Sequence, residues 1–154
     1  EIINSILLFV AEVQSIFHDG GLGVHTRNLK YGKLVTGELV CVQTSLIRRS
    51  RSHFLNFEWG VEVILGVNGF LWIGKPRKSP DQQDLDSIYS STLEDVDSVL
   101  REAICRTRNC ILAMNNSFVH LEEPTIKQVY SLSLDYAVAD IISEEFYEVL
   151  RKNI

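Results

Sequence analysis

Basic side chains mixed with aromatic ones are the residues of this sequence whose types and spacing best suit a chemical role. They form two groups, Arg27, Lys30, Tyr31 and Lys33, and then Arg48, Arg49, Arg51, His53 and Phe54. Cations hold phosphate groups and aromatic rings stack on bases, so this mixture is typical of a surface that binds nucleic acid. An ordinary basic surface with buried aromatic rings is the alternative, because small basic patches also occur in proteins that never meet RNA.

The tetrapeptide Gly66-Val67-Asn68-Gly69 is a second candidate for phosphate binding. The G-x-x-G of a KH domain joins two helices and clamps a nucleic-acid backbone. Here the flanking segments, 61–65 and 70–73, consist of strand-forming residues. An Asn-Gly pair favours a tight hairpin turn, since both residues tolerate positive φ. The sequence therefore predicts that Gly66, Asn68 and Gly69 form a structural turn rather than a phosphate clamp.

Catalytic and metal-binding patterns are missing from the sequence. It contains no nucleophile elbow, Walker loop or G-x-G-x-x-G motif. Its three cysteines, Cys41, Cys105 and Cys110, include no C-x-x-C pair and stand apart from the four histidines, so neither a zinc site nor a disulfide framework is indicated. We expect no catalytic residue, metal ion or cofactor, and we expect Cys105 and Cys110 to be buried free thiols.

The charge of the chain is unevenly distributed. Residues 27–78 carry nine Lys and Arg against three Glu, whereas the residues after 78 carry six Lys and Arg against fourteen Asp and Glu. This asymmetry suggests a basic working face joined to an acidic, helical remainder. No apolar run approaches the ~20 residues that a bilayer requires, so we expect no membrane partner.

The first half of the sequence has the pattern of β-structure. Apolar runs on both sides of the turn signal His18-Asp19-Gly20-Gly21 predict a β-hairpin. Thr36-Gly37 predicts a turn before a strand in which apolar and polar positions alternate over 39–43. Residues 48–60 have no clear period and are interpreted as an irregular basic loop.

Helical patterns occupy the second half, after a segment at 75–90 with the composition of a surface loop. Ser91 with Glu94 forms a capping-box pattern, which predicts a helix that ends near Asn115-Asn116. Pro124 and Ser143 are start signals for two further helices. Strands followed by helices in this order indicate an α+β fold.

Three segments, AEVQSIFHDGGLGVHTRNLKYGKL, SLIRRSRSHF and VILGVNGFLWIG, closely resemble the ribosomal RNA-processing protein 4 family, the cap subunits of the RNA exosome. The likeness is dense over residues 11–74 and extends to Met114. The resemblance implies that residues 1–36 are the C-terminal strands of an S1-type OB-fold β-barrel. It also implies that residues 37–154 are a KH-like α/β domain with a loop at 75–90 and C-terminal helices.

The resemblance further implies a non-catalytic RNA-binding subunit. Such a subunit guides RNA into the exosome for 3′-to-5′ processing and degradation, in ribosomal RNA processing and mRNA turnover. The expected partners are RNA and the other ring and cap subunits, without a cofactor, in the nucleus, the nucleolus and the cytoplasm. In this family the G-x-N-G segment is a structural turn packed between the S1 and KH modules.

Two other functions compete with this interpretation. A free-standing RNA-binding module with S1 and KH parts would use the same basic residues without joining a complex. A small nuclease working alone has the least support, because the sequence offers no constellation of metal ligands and no activated nucleophile.

Overall fold

The structure is a computed structural model that describes residues 8–27, 30–34, 36–76 and 96–154. These residues divide into two compact units, and the second unit begins at Thr36. Most of the predicted loop at 75–90 lies outside the described residues, as do Ser91 and Glu94. None of the helices in the described ranges combines the length and the hydropathy that a bilayer crossing needs.

The described part of the first unit contains two antiparallel ribbons. Strand β1 (Phe9–Val10) pairs with β4 (Gly32–Lys33), and β2 (Glu12–Ile16) pairs with β3 (Leu22–His25). Between β2 and β3, Gly20 has a φ of 86°, a conformation that glycine adopts without strain. The predicted hairpin is therefore confirmed, while the assignment of residues 1–36 to an S1-type barrel stays a prediction.

The second unit is built on a four-stranded antiparallel sheet with the strand order β5-β8-β7-β6. Its strands are β5 (Gly37–Cys41), β6 (Phe54–Asn56), β7 (Glu62–Leu65) and β8 (Phe70–Gly74). Gly37 pairs with Gly74 inside this sheet, so it belongs to a strand and not to the predicted turn. Residues 54–56 were expected in an irregular loop and instead form an edge strand, because three residues are too few to show a period of two.

The two central strands of this sheet are apolar on both faces. Val63, Leu71 and Ile73 are fully buried in the core cluster that includes the helices. On the opposite face the neighbouring pair Ile64 and Trp72 is buried as well. Burial on both sides explains why the sequence of β7 and β8 reads as continuous apolar runs instead of alternating.

Three helices follow the sheet: α1 (Ser98–Asn116), α2 (Glu123–Ser133) and α3 (Glu144–Asn153). Helix α1 begins after Asp97, whose carboxylate accepts a hydrogen bond from the Ser98 N–H at 2.8 Å. Because Val96 and Asp97 are not helical, the prediction of one helix running through them from Ser91 is wrong. The predicted end near Asn115-Asn116 is confirmed.

The predicted starts of the other two helices are confirmed. Pro124 occupies the first turn of α2, where its missing N–H has no intrahelical partner to lose. The Ser143 hydroxyl accepts a hydrogen bond from the Phe146 N–H at 3.4 Å and caps α3. Glutamates in the first turn of α3 and Arg151 and Lys152 in the last turn match the helix dipole.

Helix α1 is the central element of the second unit and buries polar side chains that connect it to its neighbours. The Thr107 hydroxyl accepts a hydrogen bond from the Trp59 indole N–H at 3.1 Å. The Asn109 amide donates to the Val138 carbonyl at 2.8 Å, in the 3-10 turn that precedes α3. These bonds fix α1 against the loop between β6 and β7 and against the connection between α2 and α3.

The cysteines differ in their exposure. Cys110 is fully buried, and burial raises the pKa of its thiol to about 11, so the side chain is neutral and behaves as part of the apolar core. Cys105 is half-buried and Cys41 is exposed. The prediction of buried thiols is thus confirmed for Cys110 and only in part for Cys105.

Candidate nucleic-acid interface

The second basic group of the sequence lies on one loop of the second unit, residues 48–53, which we call the arginine loop. It follows a short 3-10 turn (Thr44–Leu46) and ends where β6 begins at Phe54. Leu46 and Ile47 are buried immediately before it, and Leu55 is buried soon after it. These apolar anchors fix both ends of the loop on the core, while the arginines between them remain exposed.

Arg48 is positioned by contacts between the start of the arginine loop and the segment before α2. The Leu121 N–H donates to the Leu46 carbonyl at 2.9 Å, and Ile47 and Leu121 form a parallel β-bridge. One residue further along, the Arg48 Nε lies 2.9 Å from the Glu122 carboxylate, and 63% of the Arg48 side chain is exposed. The ion pair therefore orients the guanidinium group while most of it stays open to solvent.

The other members of the arginine loop differ from one another. Arg49 and Arg51 are exposed. His53 is half-buried, its Nε2 accepts a hydrogen bond from the Ser50 N–H at 3.5 Å, and its Nδ1 is buried without a partner among the described residues. An imidazole in this position shapes the loop and offers little surface to a ligand, so Arg49 and Arg51 are the stronger candidates for phosphate contact.

The first basic group belongs to the first unit. Arg27 and Lys30 are exposed, and the Lys30 ammonium lies 5.2 Å from the centre of the Tyr31 ring. Lys33 is half-buried in β4, opposite Phe9. The seven predicted residues are thus divided between two units, with three in the first and the four from the arginine loop in the second.

Beside the arginine loop the surface contains a hollow of about 340 Å³ that the sequence did not predict. It is lined by Arg48, Phe118, Val119, His120, Glu122, Thr125 and Ile154. Phe118 is 69% exposed and has a φ of 57°. Nothing in the apolar periodicity distinguishes this ring, because it lies past the end of α1.

The G-x-N-G segment joins strand β7 to strand β8, as predicted. The Gly69 N–H donates to the Gly66 carbonyl at 3.0 Å, the Gly66 N–H donates to the Phe70 carbonyl at 3.1 Å, and Gly69 has a φ of 88°. Asn68 does not adopt the positive φ that was expected. Its side-chain oxygen instead accepts a hydrogen bond from the Phe70 N–H at 3.2 Å, so the asparagine stabilises the turn through its side chain.

Close packing explains both glycines of this turn. A Cβ at Gly66 would collide with the Phe70 carbonyl oxygen, and a Cβ at Gly69 would lie 2.7 Å from the Val42 carbonyl oxygen. The Val42 N–H also donates to the Gly69 carbonyl at 2.9 Å, which ties the turn to the end of β5. The segment has the geometry of a structural turn, while its expected packing between two modules stays a prediction.

In the ranges that the structure describes, no group of three or more His, Cys, Asp or Glu side chains could hold a metal ion. The hollow combines a guanidinium group, an aromatic ring and an imidazole with the Glu122 carboxylate and three uncharged side chains. This arrangement can bind an anionic, aromatic ligand through charge and stacking.

Comparison with known proteins identifies the domain and the family. A family profile described as KH domain matches residues 37–79, which include the whole four-stranded sheet. Exosome complex component RRP4 of Bos taurus is 40% identical over 142 residues, which are 92% of this chain and 47% of the bovine protein. The protein of the same name in Mus musculus is 41% identical, with the same coverage of each chain.

The similarity extends to distant eukaryotes. Exosome complex component RRP4 of Saccharomyces cerevisiae is 32% identical over 181 aligned residues, which cover 96% of this chain and 50% of the yeast protein. The chain spans about half the length of the curated relatives it matches. The predicted α+β class with a KH domain is confirmed. Over the half that it spans, the chain belongs to the exosome complex component RRP4 family.

Proposed function

We propose that this chain is part of a non-catalytic RNA-binding cap subunit of the RNA exosome. In this role it captures RNA, guides it into the complex for 3′-to-5′ processing and degradation, and stabilises the ring. The observation that carries the proposal is the 30–41% identity to exosome components across mammals, fungi, a plant and a nematode, over most of this chain.

The partners follow from the same proposal: RNA and the other ring and cap subunits of the exosome. Ribosomal RNA processing and mRNA turnover are the proposed pathways, and the nucleus, the nucleolus and the cytoplasm are the proposed compartments. The basic residues in the first unit, Arg27, Lys30 and Lys33, and those of the arginine loop are the proposed RNA contacts. The S1-type barrel remains the proposed assignment for residues 1–36.

The arginine loop supports RNA capture rather than RNA cleavage. Arg48, Arg49 and Arg51 lie within four consecutive positions and are all exposed. Among the ion pairs that the structure describes for this loop, Arg48 is the one arginine that pairs with an acidic side chain. When closely spaced cations bind phosphates, the RNA releases its counterions. The affinity for RNA should therefore depend strongly on the salt concentration.

Replacing Arg49 and Arg51 together by alanine should weaken the binding of single-stranded RNA by the intact protein. Each lost phosphate contact should also reduce the slope of log K against log salt concentration by about 0.7. We expect the double variant to change the slope by about 1.4, measured by fluorescence anisotropy in a salt series.

The matched control is the double variant Arg151→Ala and Lys152→Ala at the end of α3. It removes the same charge from two exposed side chains that already face Glu144 and Glu148. An equal loss of affinity in both double variants would assign the effect to overall charge and contradict a specific site. Co-purification of the tagged, intact protein with a stable set of exosome subunits tests the assembly role, and recovery of a monomer would contradict it.

A further inference from the structure

Phe118 occupies the end of helix α1 in a conformation that favours glycine. The Val119 N–H donates to the Met114 carbonyl at 2.9 Å, and the Phe118 N–H donates to the Asn115 carbonyl at 3.2 Å. These bonds form a Schellman motif, in which the residue with positive φ is usually glycine. Phe118 is the sole non-glycine residue in the described ranges with positive φ.

The Phe118 ring is also exposed, although it is one of the largest apolar side chains available. With 69% of the residue accessible, it contributes little to the core of the unit. A glycine at this position would form the same helix cap without backbone strain and without an exposed ring. Phe118 is therefore poorly explained by a purely structural role. Residues held in such conformations are frequent where a protein binds ligands.

The hollow that Phe118 lines contains basic side chains together with the acidic Glu122. Arg48 and His120 line the same hollow, and Arg49 follows Arg48 directly in the chain. The ion pair with Glu122 holds the Arg48 guanidinium next to the hollow. An exposed ring beside a run of arginines matches the combination that binds single-stranded nucleic acids, in which bases stack on rings and phosphates contact cations.

We propose that Phe118 is a stacking platform for one base of a single-stranded RNA whose flanking phosphates contact Arg48 and Arg49. This inference rests on the proposed function and adds a specific aromatic contact to the arginine loop. The charge of the arginine loop favours RNA over a protein partner, because Arg49 and Arg51 are exposed beyond the ion pair of Arg48 with Glu122 and join no acidic side chain in the described ion pairs. Stacking on a ring tolerates any base, so the site should show little sequence preference.

Three variants of the intact protein separate stacking from stability. Phe118→Tyr keeps an aromatic face and should bind a fluorescein-labelled oligouridylate as the unchanged protein does. Phe118→Leu keeps an apolar side chain but removes the ring, and it should bind roughly 5-fold to 100-fold more weakly. Phe118→Gly should bind as weakly as the leucine variant while its thermal midpoint rises by about 2–4 °C, because glycine relieves the strained cap.

Wild-type affinity in Phe118→Leu would overturn the stacking contact. If the Arg49 and Arg51 double variant still binds more weakly in that case, the proposed function survives without this inference. Unchanged RNA affinity in Phe118→Leu together with reduced co-purification of other subunits would assign Phe118 to a protein interface, and the RNA contact would again be wrong. Loss of binding in the tyrosine variant as well would also contradict stacking.

Discussion

Replacing Arg106 by leucine should lower the free energy of unfolding by about 3 kcal/mol, one of the largest effects expected for a single substitution in this chain. Arg106 is 9% exposed and lies in the middle of α1. Its guanidinium donates to the Ser133 carbonyl at the end of α2 and, at 3.0 Å, to the Tyr136 carbonyl. A leucine would keep the apolar stem and leave the Tyr136 oxygen without this charged donor.

The control for this prediction lies two residues further along the same helix. Arg108 is half-exposed, and its Nε lies 2.9 Å from the Glu38 carboxylate. An ion pair of this kind contributes less than about 1 kcal/mol, so Arg108→Leu should change stability little. Urea unfolding of both variants of the intact protein measures the difference. Equal stability of the two variants would show that the buried hydrogen bonds of Arg106 do not hold α1 and α2 together.

Replacing Gly69 by alanine should lower the free energy of unfolding by about 2–4 kcal/mol. The φ of 88° strains any residue with a Cβ, and the new atom would lie 2.7 Å from the Val42 carbonyl oxygen. To avoid this close contact, the chain at the end of β5 would have to move away from the turn. This movement would weaken the hydrogen bond between Val42 and Gly69. Thermal unfolding of the intact protein should show a correspondingly lower midpoint.

A phosphate clamp at the same segment would behave in the opposite way. It would lose RNA affinity on substitution while the unfolding midpoint stayed unchanged. The control is Val67→Ala in the same turn, where the side chain is exposed and the expected change is within about 0.5 kcal/mol. If Gly69→Ala is as stable as Val67→Ala and binds RNA poorly, the interpretation of the segment as a structural turn is wrong.

Local chemistry in the sequence was sufficient to predict several elements of the fold. The glycines at 20–21 and 66–69 marked both hairpin turns, because the backbone at these places needs φ values or close contacts that side chains prevent. Pro124 and Ser143 marked helix starts, since each acts within one helical turn. Such signals depend on neighbouring residues and require no knowledge of the tertiary structure.

Features that depend on distant residues were not predictable in this way. Helix α1 begins at Ser98 with Asp97 as its cap, although Ser91 and Glu94 formed the more obvious pattern. The pairing of β6 with β7 and the inward position of His53 are decided by packing across the unit. Sequence patterns therefore identified the arginine loop, while the ion pair of Arg48 with Glu122 and the exposed Phe118 ring required the structure.

In the proposed function, the KH unit does not bind RNA through its G-x-N-G segment. The polar groups of the G-x-N-G segment form hydrogen bonds to Phe70 and to Val42. The segment is therefore a turn between two strands and not a clamp between two helices. The proposed RNA surface lies instead on the arginine loop and the hollow beside it. We propose that this surface binds RNA through charge and stacking, which suits the capture of varied RNA sequences.

Photocrosslinking tests the central claim most directly. The intact protein, purified with its partner subunits, would be irradiated with single-stranded RNA that carries 4-thiouridine, and the crosslinked peptides would be identified by mass spectrometry. We expect crosslinks within residues 48–53 and at Phe118. Crosslinks confined to Val67 and Asn68, with none in the arginine loop, would contradict the account.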